Sequence, residues 1–179
     1  MKRDLKNLLK IIKNKKAGVF IDDSNLYHAQ KDAGWKVDWG KLKKFLGKYC
    51  NLLAYNYYVA LPDRSDVDYK STIAYLRYVK KAATIKTKPL KYIKVAKTVT
   101  RKGDVDVEIV LDVVRNIEKL DLVFVVSGDS DYLELKNWVV KDKKKGIVFI
   151  AFINNMAWEF KYCWHIYLDE IKDLVRLKR

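Results

Sequence analysis

Two apolar segments of this chain end in carboxylates, and a third acidic segment begins a helical pattern. Asp22 and Asn25 belong to F-I-D-D-S-N, and Asp129 and Asp131 belong to V-V-S-G-D-S-D. The third segment, D-V-D-V-E-I-V-L-D, begins at position 104 and contains Asp106. Carboxylates that lie close together repel one another, and a hard divalent cation with oxygen ligands relieves that repulsion. The three segments therefore predict a metal site.

The residue types select the metal and its chemistry. Magnesium and manganese bind carboxylate oxygens, whereas zinc favours histidine and cysteine, which these segments lack. We predict that Asp22, Asp106 and Asp129 bind Mg²⁺ or Mn²⁺, and that Asp131 and Asn25 complete the catalytic group. An ion held in this way activates water and stabilises charge on a phosphoryl group during its displacement.

Asp106 carries the strongest part of this argument. At about 100° per residue, it falls on a broad apolar arc of its helix, close to Ile109 and Val113. A carboxylate on a core-facing arc is costly unless a proton, a partner or a metal neutralises it. Asp112 falls on the opposite, polar arc and is predicted to be a surface acid paired with Arg115.

Both strand-end motifs also have a purely structural interpretation. Aspartate, serine and asparagine are favoured helix N-caps, so D-D-S-N and S-G-D-S-D can each start a helix without any catalytic role. In the second motif, Asp131 would accept hydrogen bonds from the first-turn amides. Independent capping does not explain a carboxylate on an apolar arc, and Asp106 therefore favours the functional interpretation.

The elements that position these residues alternate along the chain. Apolar runs predict strands at 17–22, 52–61, 83–87, 121–127 and 146–152. Helical patterns lie at 24–33, 39–49, 67–81, 105–119, 131–143 and 155–162. Continuous apolar strands separated by helices are typical of a parallel sheet covered on both faces. We predict a three-layer α/β/α fold with a mostly parallel sheet of about five strands, whose carboxyl ends form the site crevice.

One domain is expected over 1–179. Its core would span 17–152, preceded by an amphipathic helix at 2–15 with Leu5, Leu8, Leu9 and Ile12 on one side. A C-terminal helix and basic tail would occupy 155–179, with W-H-I-Y-L as a short edge segment.

Charge and cysteine content narrow the partners. The chain has 37 Lys and Arg against 22 Asp and Glu, a net charge of +15 that attracts polyanions such as nucleic acids. Two distant cysteines and two histidines disfavour a disulfide framework or a zinc site. No apolar run approaches the ~18 residues that span a membrane, and lysines interrupt the N-terminal segment too often for a signal peptide. We expect a cytoplasmic protein.

At this point the motifs carry a resemblance. The succession F-I-D-D-S-N-L, K-G-D-V-D-V-E-I-V-L-D, V-V-S-G-D-S-D-Y-L-E-L and G-I-V-F-I resembles the NYN domain, in particular its LabA-like branch, within the PIN-like nuclease superfamily. The resemblance covers about 17–152. It implies a PIN-like fold and metal-dependent endonuclease activity on RNA or another single-stranded or structured nucleic acid. The matching positions are Asp22, Asn25, Lys102, Gly103, Asp106, Asp112, Ser127, Asp129 and Asp131.

Two positions depart from the family pattern. Asp23 stands where glycine is common in relatives, and Tyr132 stands where phenylalanine is more frequent. Neither is expected to touch a metal ligand. Many PIN-like nucleases also have an acidic residue on an earlier helix, for which Asp66 and Asp68 are the nearest candidates.

The segment 77–102 interleaves lysines and arginines with tyrosines and β-branched residues. This composition suits a groove for single-stranded nucleic acid, and a solvated, lysine-rich hairpin or loop is the alternative. Contacts to RNA are predicted for Ser127, Arg64, Lys70, Lys88, Arg101 and Lys102. The N-terminal helix and the tail would extend this basic surface or form a homodimer contact.

Two functions therefore compete. The first is a metal-dependent endoribonuclease that hydrolyses phosphodiester bonds. The second is a non-catalytic RNA-binding or regulatory module that retains the scaffold. A phosphatase of the haloacid-dehalogenase type is disfavoured, because that chemistry requires D-x-D and Ser24 stands two residues after Asp22.

Overall fold

The centre of the fold is a six-stranded sheet in which every neighbouring pair is parallel. The computed structural model describes residues 5–95 and 98–178. Its strands are β1 (Lys16–Asp22), β2 (Asn51–Leu61), β3 (Thr84–Pro89), β4 (Lys91–Val95), β5 (Thr98–Lys102), β6 (Leu122–Val126), β7 (Gly146–Ala151) and β8 (His165–Tyr167). The sheet order is β3-β2-β1-β6-β7-β8, while β4 and β5 form a separate antiparallel hairpin.

Helices cover both faces of this sheet. The α-helices are α1 (Leu5–Ile11), α2 (Asp23–Ala33), α3 (Trp39–Gly47), α4 (Tyr69–Val79), α5 (Asp106–Asn116), α6 (Leu133–Asn137) and α7 (Lys172–Val175). Short 3-10 helices occupy Ile117–Lys119, Ser130–Tyr132, Trp158–Tyr162 and Leu168–Ile171, and a π-helical turn occupies Trp138–Asp142. No helix in the described ranges is long and apolar enough to cross a bilayer.

Alternation along the strands divides the interior into two cores. In β1, Val19 and Ile21 pack with residues of α1, α2, α3, α4 and α7, whereas Phe20 packs with α5 and α6. Because both faces of each central strand are covered, those strands read as continuous apolar runs. The predicted three-layer α/β fold is confirmed.

The predicted elements differ from the observed ones at the β4–β5 hairpin, in the helix after β6 and at the last strand. W-H-I-Y-L supplies β8, so the sheet has six strands where about five were expected. The helix predicted at 131–143 consists of a 3-10 turn, α6 and the π-helical turn. Leu8 and Ile12 are buried, as the amphipathic pattern predicted. Residues 2–4 of the predicted first helix, 96 and 97 of the basic segment, and Arg179 of the tail lie outside the described residues.

Helix α5 buries a narrower face than its sequence predicted. Ile109 and Val113 are fully buried, but Val107, Leu111 and Val114 are exposed. The helix contacts the sheet along the ridge of Ile109 and Val113, which leaves the margin of the predicted apolar arc in solvent. Asp106 lies at the buried edge of this ridge and is partly exposed.

The strand order creates a switch point between β1 and β6. From β1 the chain proceeds outward to β2 and β3 on one side, and β6, β7 and β8 lie on the other. Loops leave the carboxyl ends of β1 and β6 in opposite directions, which opens a crevice between them. Both predicted strand-end motifs lie at this crevice.

Candidate active site

Asp22 is buried at the sheet edge where the crevice opens. It is the last residue of β1, almost fully buried, and the N-cap of α2. Its Oδ1 accepts hydrogen bonds from Ser24 Oγ (2.7 Å) and Asn25 N (3.2 Å). Its Oδ2 accepts from Ser127 Oγ (3.3 Å) and Tyr132 Oη (3.2 Å). One carboxylate therefore joins the ends of β1 and β6 to α2 and to the 3-10 helix after β6.

The loop after β6 is fixed against α2 by two further contacts. Gly128 N donates to Asn25 Oδ1 at 3.0 Å, and Asp129 N donates to Ser127 Oγ at 3.2 Å. Gly128 also approaches the β7 loop so closely that a Cβ there would lie 2.0 Å from the carbonyl oxygen of Asn155. Only glycine fits this approach. The predicted residues Asn25 and Ser127 thus position the loop that carries Asp129, and fully buried Ser127 lies out of reach of a substrate.

The residue that caps the 3-10 helix after β6 is Asp129, whereas Asp131 was predicted to cap it. Asp129 is the N-cap of the 3-10 helix, and its Oδ1 accepts a hydrogen bond from Asp131 N at 3.1 Å. Asp131 itself is exposed. The capping interpretation is therefore correct for Asp22 and Asp129 and wrong for Asp131. Capping does not prevent Asp129 from lining the crevice, because a carboxylate has several acceptor positions.

Tyr132 connects Asp22 with Asp106. Its buried hydroxyl donates to Asp22 Oδ2 at 3.2 Å. The same hydroxyl lowers the pKa of Asp106, against the larger rise that burial causes. The expectation that Tyr132 touches no predicted ligand is therefore wrong. Phenylalanine at this position would leave Asp22 without this donor.

Burial and mutual repulsion both act on the crevice acids. Burial raises the pKa of Asp22, against four hydrogen bonds that lower it. Burial also raises the pKa of Asp106, and the charges of Asp22 and Asp129 add to that rise. Burial first, and then the charges of Asp22 and Asp106, hold the pKa of Tyr132 far above its usual value, so its hydroxyl remains a donor. In the described part of the chain, none of the three aspartates forms an ion pair with lysine or arginine.

The acids open into a cavity of about 530 Å³, which we call the acidic crevice. Its walls come from α2, the hairpin, α4 and the loops after β2 and β6. Its acidic lining residues are Asp23, Asp68, Asp104, Asp106 and Asp129. Tyr27 and His28 from α2 also face it, and sequence reasoning missed both. Their position in the second turn of α2, five and six residues after Asp22, was the available signal, since the start of α2 had to lie at the same sheet edge.

The donor set suits a hard cation, although the ligands are not fully assembled. Asp106 and Asp129 face the crevice, Asp22 is buried next to it, and all three offer only oxygen. Within 5–95 and 98–178, no three acidic, histidine or cysteine side chains already stand in a metal-binding arrangement. Both Asp22 oxygens are engaged in hydrogen bonds. The residues fit Mg²⁺ or Mn²⁺ by chemical type, and binding would require them to draw together.

Asp112 departs from its predicted place. It is buried rather than exposed, and it accepts hydrogen bonds from Lys86 of β3 and Tyr58 of β2. The predicted partner Arg115 is present but more distant, with Nη1 3.7 Å from Oδ1. The error arises because the cation that neutralises this acid comes from the neighbouring sheet rather than from α5.

The predicted substrate cations are distributed around the crevice and are mostly paired. Arg101 binds Asp66 and Asp68 at 2.9 and 2.6 Å and lines the crevice. Lys102 pairs with Asp104, and Lys88 pairs with Glu108. Arg64 and Lys88 line a neighbouring cavity of about 460 Å³, and Lys70 is exposed. Asp66 and Asp68, considered as extra catalytic acids, hold the hairpin through Arg101, and Tyr92 reinforces that contact with a 2.7 Å hydrogen bond to Asp66.

Comparison with known proteins identifies the family and the fold. The chain is 26% identical over 157 residues to the low amplitude and bright protein LabA of Synechococcus elongatus, covering 84% of this chain and 81% of LabA. It shares its fold with the crystal structure of a Vibrio parahaemolyticus protein of unknown function, at a TM-score of 0.72 and 20% identity, over 99% of this chain and 100% of that one. Residues 16–169 match the NYN domain. The chain therefore belongs to the NYN domain family, part of the PIN-like superfamily, whose members are generally nucleases.

Proposed function

We propose that this protein is a Mg²⁺- or Mn²⁺-dependent endoribonuclease that cleaves single-stranded or structured RNA in the acidic crevice. One observation carries the proposal. Asp22, Asp106 and Asp129 come from three different elements, and the charges of Asp22 and Asp129 raise the pKa of Asp106. None of the three forms an ion pair with a lysine or arginine in the described ranges. Carboxylates kept without a counter-charge favour a divalent cation.

The side chains have distinct roles in this proposal. Asp22, Asp106 and Asp129 would hold the ion, which supplies an activated water and stabilises charge on the scissile phosphate. Tyr132 keeps Asp22 oriented by donating its hydroxyl proton to Oδ2. Asp131, exposed at the rim beside Asp129, would bind the ion or orient the attacking water.

Asn25 and Ser127 support the site without touching the reacting atoms. Asn25 holds Gly128 and Ser127 holds Asp129 N, so the two residues keep the Asp129 carboxylate at the crevice. Loss of either contact would displace that carboxylate, and a displacement of ~1 Å costs about 100-fold in rate.

The basic surface would hold the RNA backbone. Arg64 and Lys70 form no ion pair with any described residue, whereas Lys88, Arg101 and Lys102 would exchange their carboxylate partners for phosphates. Such exchange makes binding sensitive to salt, because each phosphate contact releases counterions. The net charge of +15 supports the same proposal.

The direct test is cleavage of end-labelled single-stranded RNA in Mn²⁺ by the wild type and by Asp129→Asn. We expect cleavage by the wild type, its loss with excess chelator, and loss of about 100-fold or more in the variant. Asp142→Asn is the matched control, because Asp142 is exposed on the π-helical turn. Equal cleavage by wild type and Asp129→Asn would refute the assigned mechanism.

A non-catalytic RNA-binding module is the second candidate. The hydrogen bonds that engage both oxygens of Asp22, and the absence of a preassembled three-ligand group in the described residues, favour it. It predicts RNA binding of equal affinity with and without metal, and no cleavage of varied RNAs. Titration of RNA in chelator and in Mn²⁺ separates the two functions.

A further inference from the structure

A second cavity of about 440 Å³ adjoins the acidic crevice, and we call it the side cavity. The two share Asp23 and Tyr27 of α2 and Ser71 and Thr72 of α4. Its volume lies within the range of ~300–1,000 Å³ typical of ligand pockets. Because the shared wall is only one helix turn wide, a strand with its phosphate in the crevice has a neighbouring base within reach of the side cavity.

Asp23 gives the side cavity a fixed hydrogen-bond acceptor. The hydroxyl of Tyr57 donates to its Oδ1, Tyr57 contacts Tyr75, and Trp39 Nε1 donates to Tyr75 Oη at 2.7 Å. This buried relay orients the carboxylate from behind. Its Oδ2 accepts no hydrogen bond from the described residues, and Asp23 lies in the lining of both cavities. A ligand in the side cavity must therefore present donors to this oxygen.

Aromatic and aliphatic side chains form the walls of the side cavity. Tyr27 is 61% exposed and offers a ring face, while Tyr75, Val59 and Leu76 line the interior. Lys31 and Lys36 stand at the same opening. A single carboxylate beside two lysines disfavours a metal ion here. Aromatic walls, one acceptor and cations nearby are instead the combination that receives an unstacked nucleobase and its phosphate.

We propose that the side cavity binds an unpaired guanine of the RNA strand, with its Watson–Crick edge facing Asp23. Guanine presents N1–H and N2–H side by side, and Asp23 can accept one at Oδ2 and the other at the second lone pair of Oδ1, beside the Tyr57 hydroxyl. Adenine and cytosine each present one amino donor beside an acceptor nitrogen, and uracil presents one N–H between two carbonyl oxygens. This inference rests on the proposed function only in its choice of an RNA strand.

The test measures binding rather than cleavage. A decauridylate with a single central G, A, C or U is titrated, in chelator, against the Asp129→Asn protein and against Asp23→Asn in the same background. We expect the guanine-containing oligomer to bind about tenfold or more tightly than the all-uridine one. In Asp23→Asn the amide oxygen accepts from Tyr57 and the amino group faces the cavity, so the acceptor for guanine N1–H and N2–H is lost and the guanine preference disappears.

Two further variants keep the test decisive. Asp32→Asn removes the same charge from an exposed position of α2 and should preserve the guanine preference. Tyr27→Ala, at an exposed position that tolerates truncation, should weaken binding of all four oligomers about tenfold. Equal affinity for the four oligomers, or an unchanged preference in Asp23→Asn, would overturn the inference while leaving the nuclease proposal intact. A guanine preference without cleavage activity would support the inference and refute the nuclease.

Discussion

Helix α5 carries two aspartates, Asp106 and Asp112, about 9 Å apart along its axis, in opposite electrostatic surroundings. Asp112 is buried beside Lys86, Tyr58 and Arg115, and these partners outweigh burial and lower its pKa. Asp106 is less buried, but burial and its acidic neighbours raise its pKa. The difference separates a carboxylate that the fold has neutralised from one that the fold leaves available to a ligand.

The largest effect, a loss of cleavage rate, should follow from removing the charge of Asp106. Asp106→Asn is expected to lower the rate of RNA cleavage in Mn²⁺ by about 100- to 1,000-fold, because a cation ligand is lost. The rate is measured under single-turnover conditions. Asp112→Asn serves as the comparison and should cleave at a rate within about threefold of the wild type per folded molecule. Equal losses in the two variants would contradict the distinction between the two acids.

The neutralised acid should instead matter for stability. Asp112→Asn is expected to lower the free energy of unfolding by about 1–2 kcal/mol, because Lys86 loses its partner. The loss is no larger because the partly exposed ammonium of Lys86 regains water. Urea denaturation measures this loss. Glu118→Gln, which breaks the exposed ion pair with Lys143, is the matched control and should cost less than about 0.5 kcal/mol. A loss no larger than that of the control would make Asp112 an ordinary surface acid.

The contribution of Asp112 to stability should depend on pH in a defined direction. Because the folded-state pKa of Asp112 is lowered, its ionised form stabilises the fold above the unfolded-state value of about 4. That contribution is lost as pH falls through the lowered pKa. The stability difference between wild type and Asp112→Asn should therefore be constant near neutral pH and shrink below about pH 4. Denaturation at several pH values measures it, and a difference that grows on acidification would reverse the assignment.

The smallest expected effect is the change in stability caused by Asp106→Asn, and its sign should be opposite to that of Asp112→Asn. Because the pKa of Asp106 is raised, its charge opposes folding at neutral pH, and stability from this group increases as pH falls toward the unfolded-state value. In chelator at pH 7, Asp106→Asn should be more stable than the wild type by less than about 1 kcal/mol. Thermal unfolding measures this gain. A less stable Asp106→Asn would show that Tyr132 already satisfies the carboxylate.

The contrast also shows what the sequence alone could predict. Buried strands appear as apolar runs, and parallel strands end at one edge, so the meeting of Asp22 and Asp129 followed from chain pattern. Asp112 was misplaced because a helical wheel contains only its own helix, and Lys86 arrives from a strand 26 residues earlier. Tyr132 and Asp23 were underestimated for the same reason, since their hydroxyl and carboxylate contacts lie across the fold. W-H-I-Y-L was placed at an edge but not counted as a strand of the sheet, because the three residues of β8 are too few to show a periodic pattern.

The two outer strands of the sheet have a consequence for self-association. An outer strand exposes unpaired backbone groups and invites another chain to add to the sheet. Strand β8 offers only three residues, while β3 carries Lys86 and Lys88 and ends at Pro89, which has no N–H to donate. Short length, lysine and proline are the features that prevent such edge-to-edge growth and the aggregation that follows from it. Copies of this chain are therefore expected to assemble through helical faces rather than by joining two sheets.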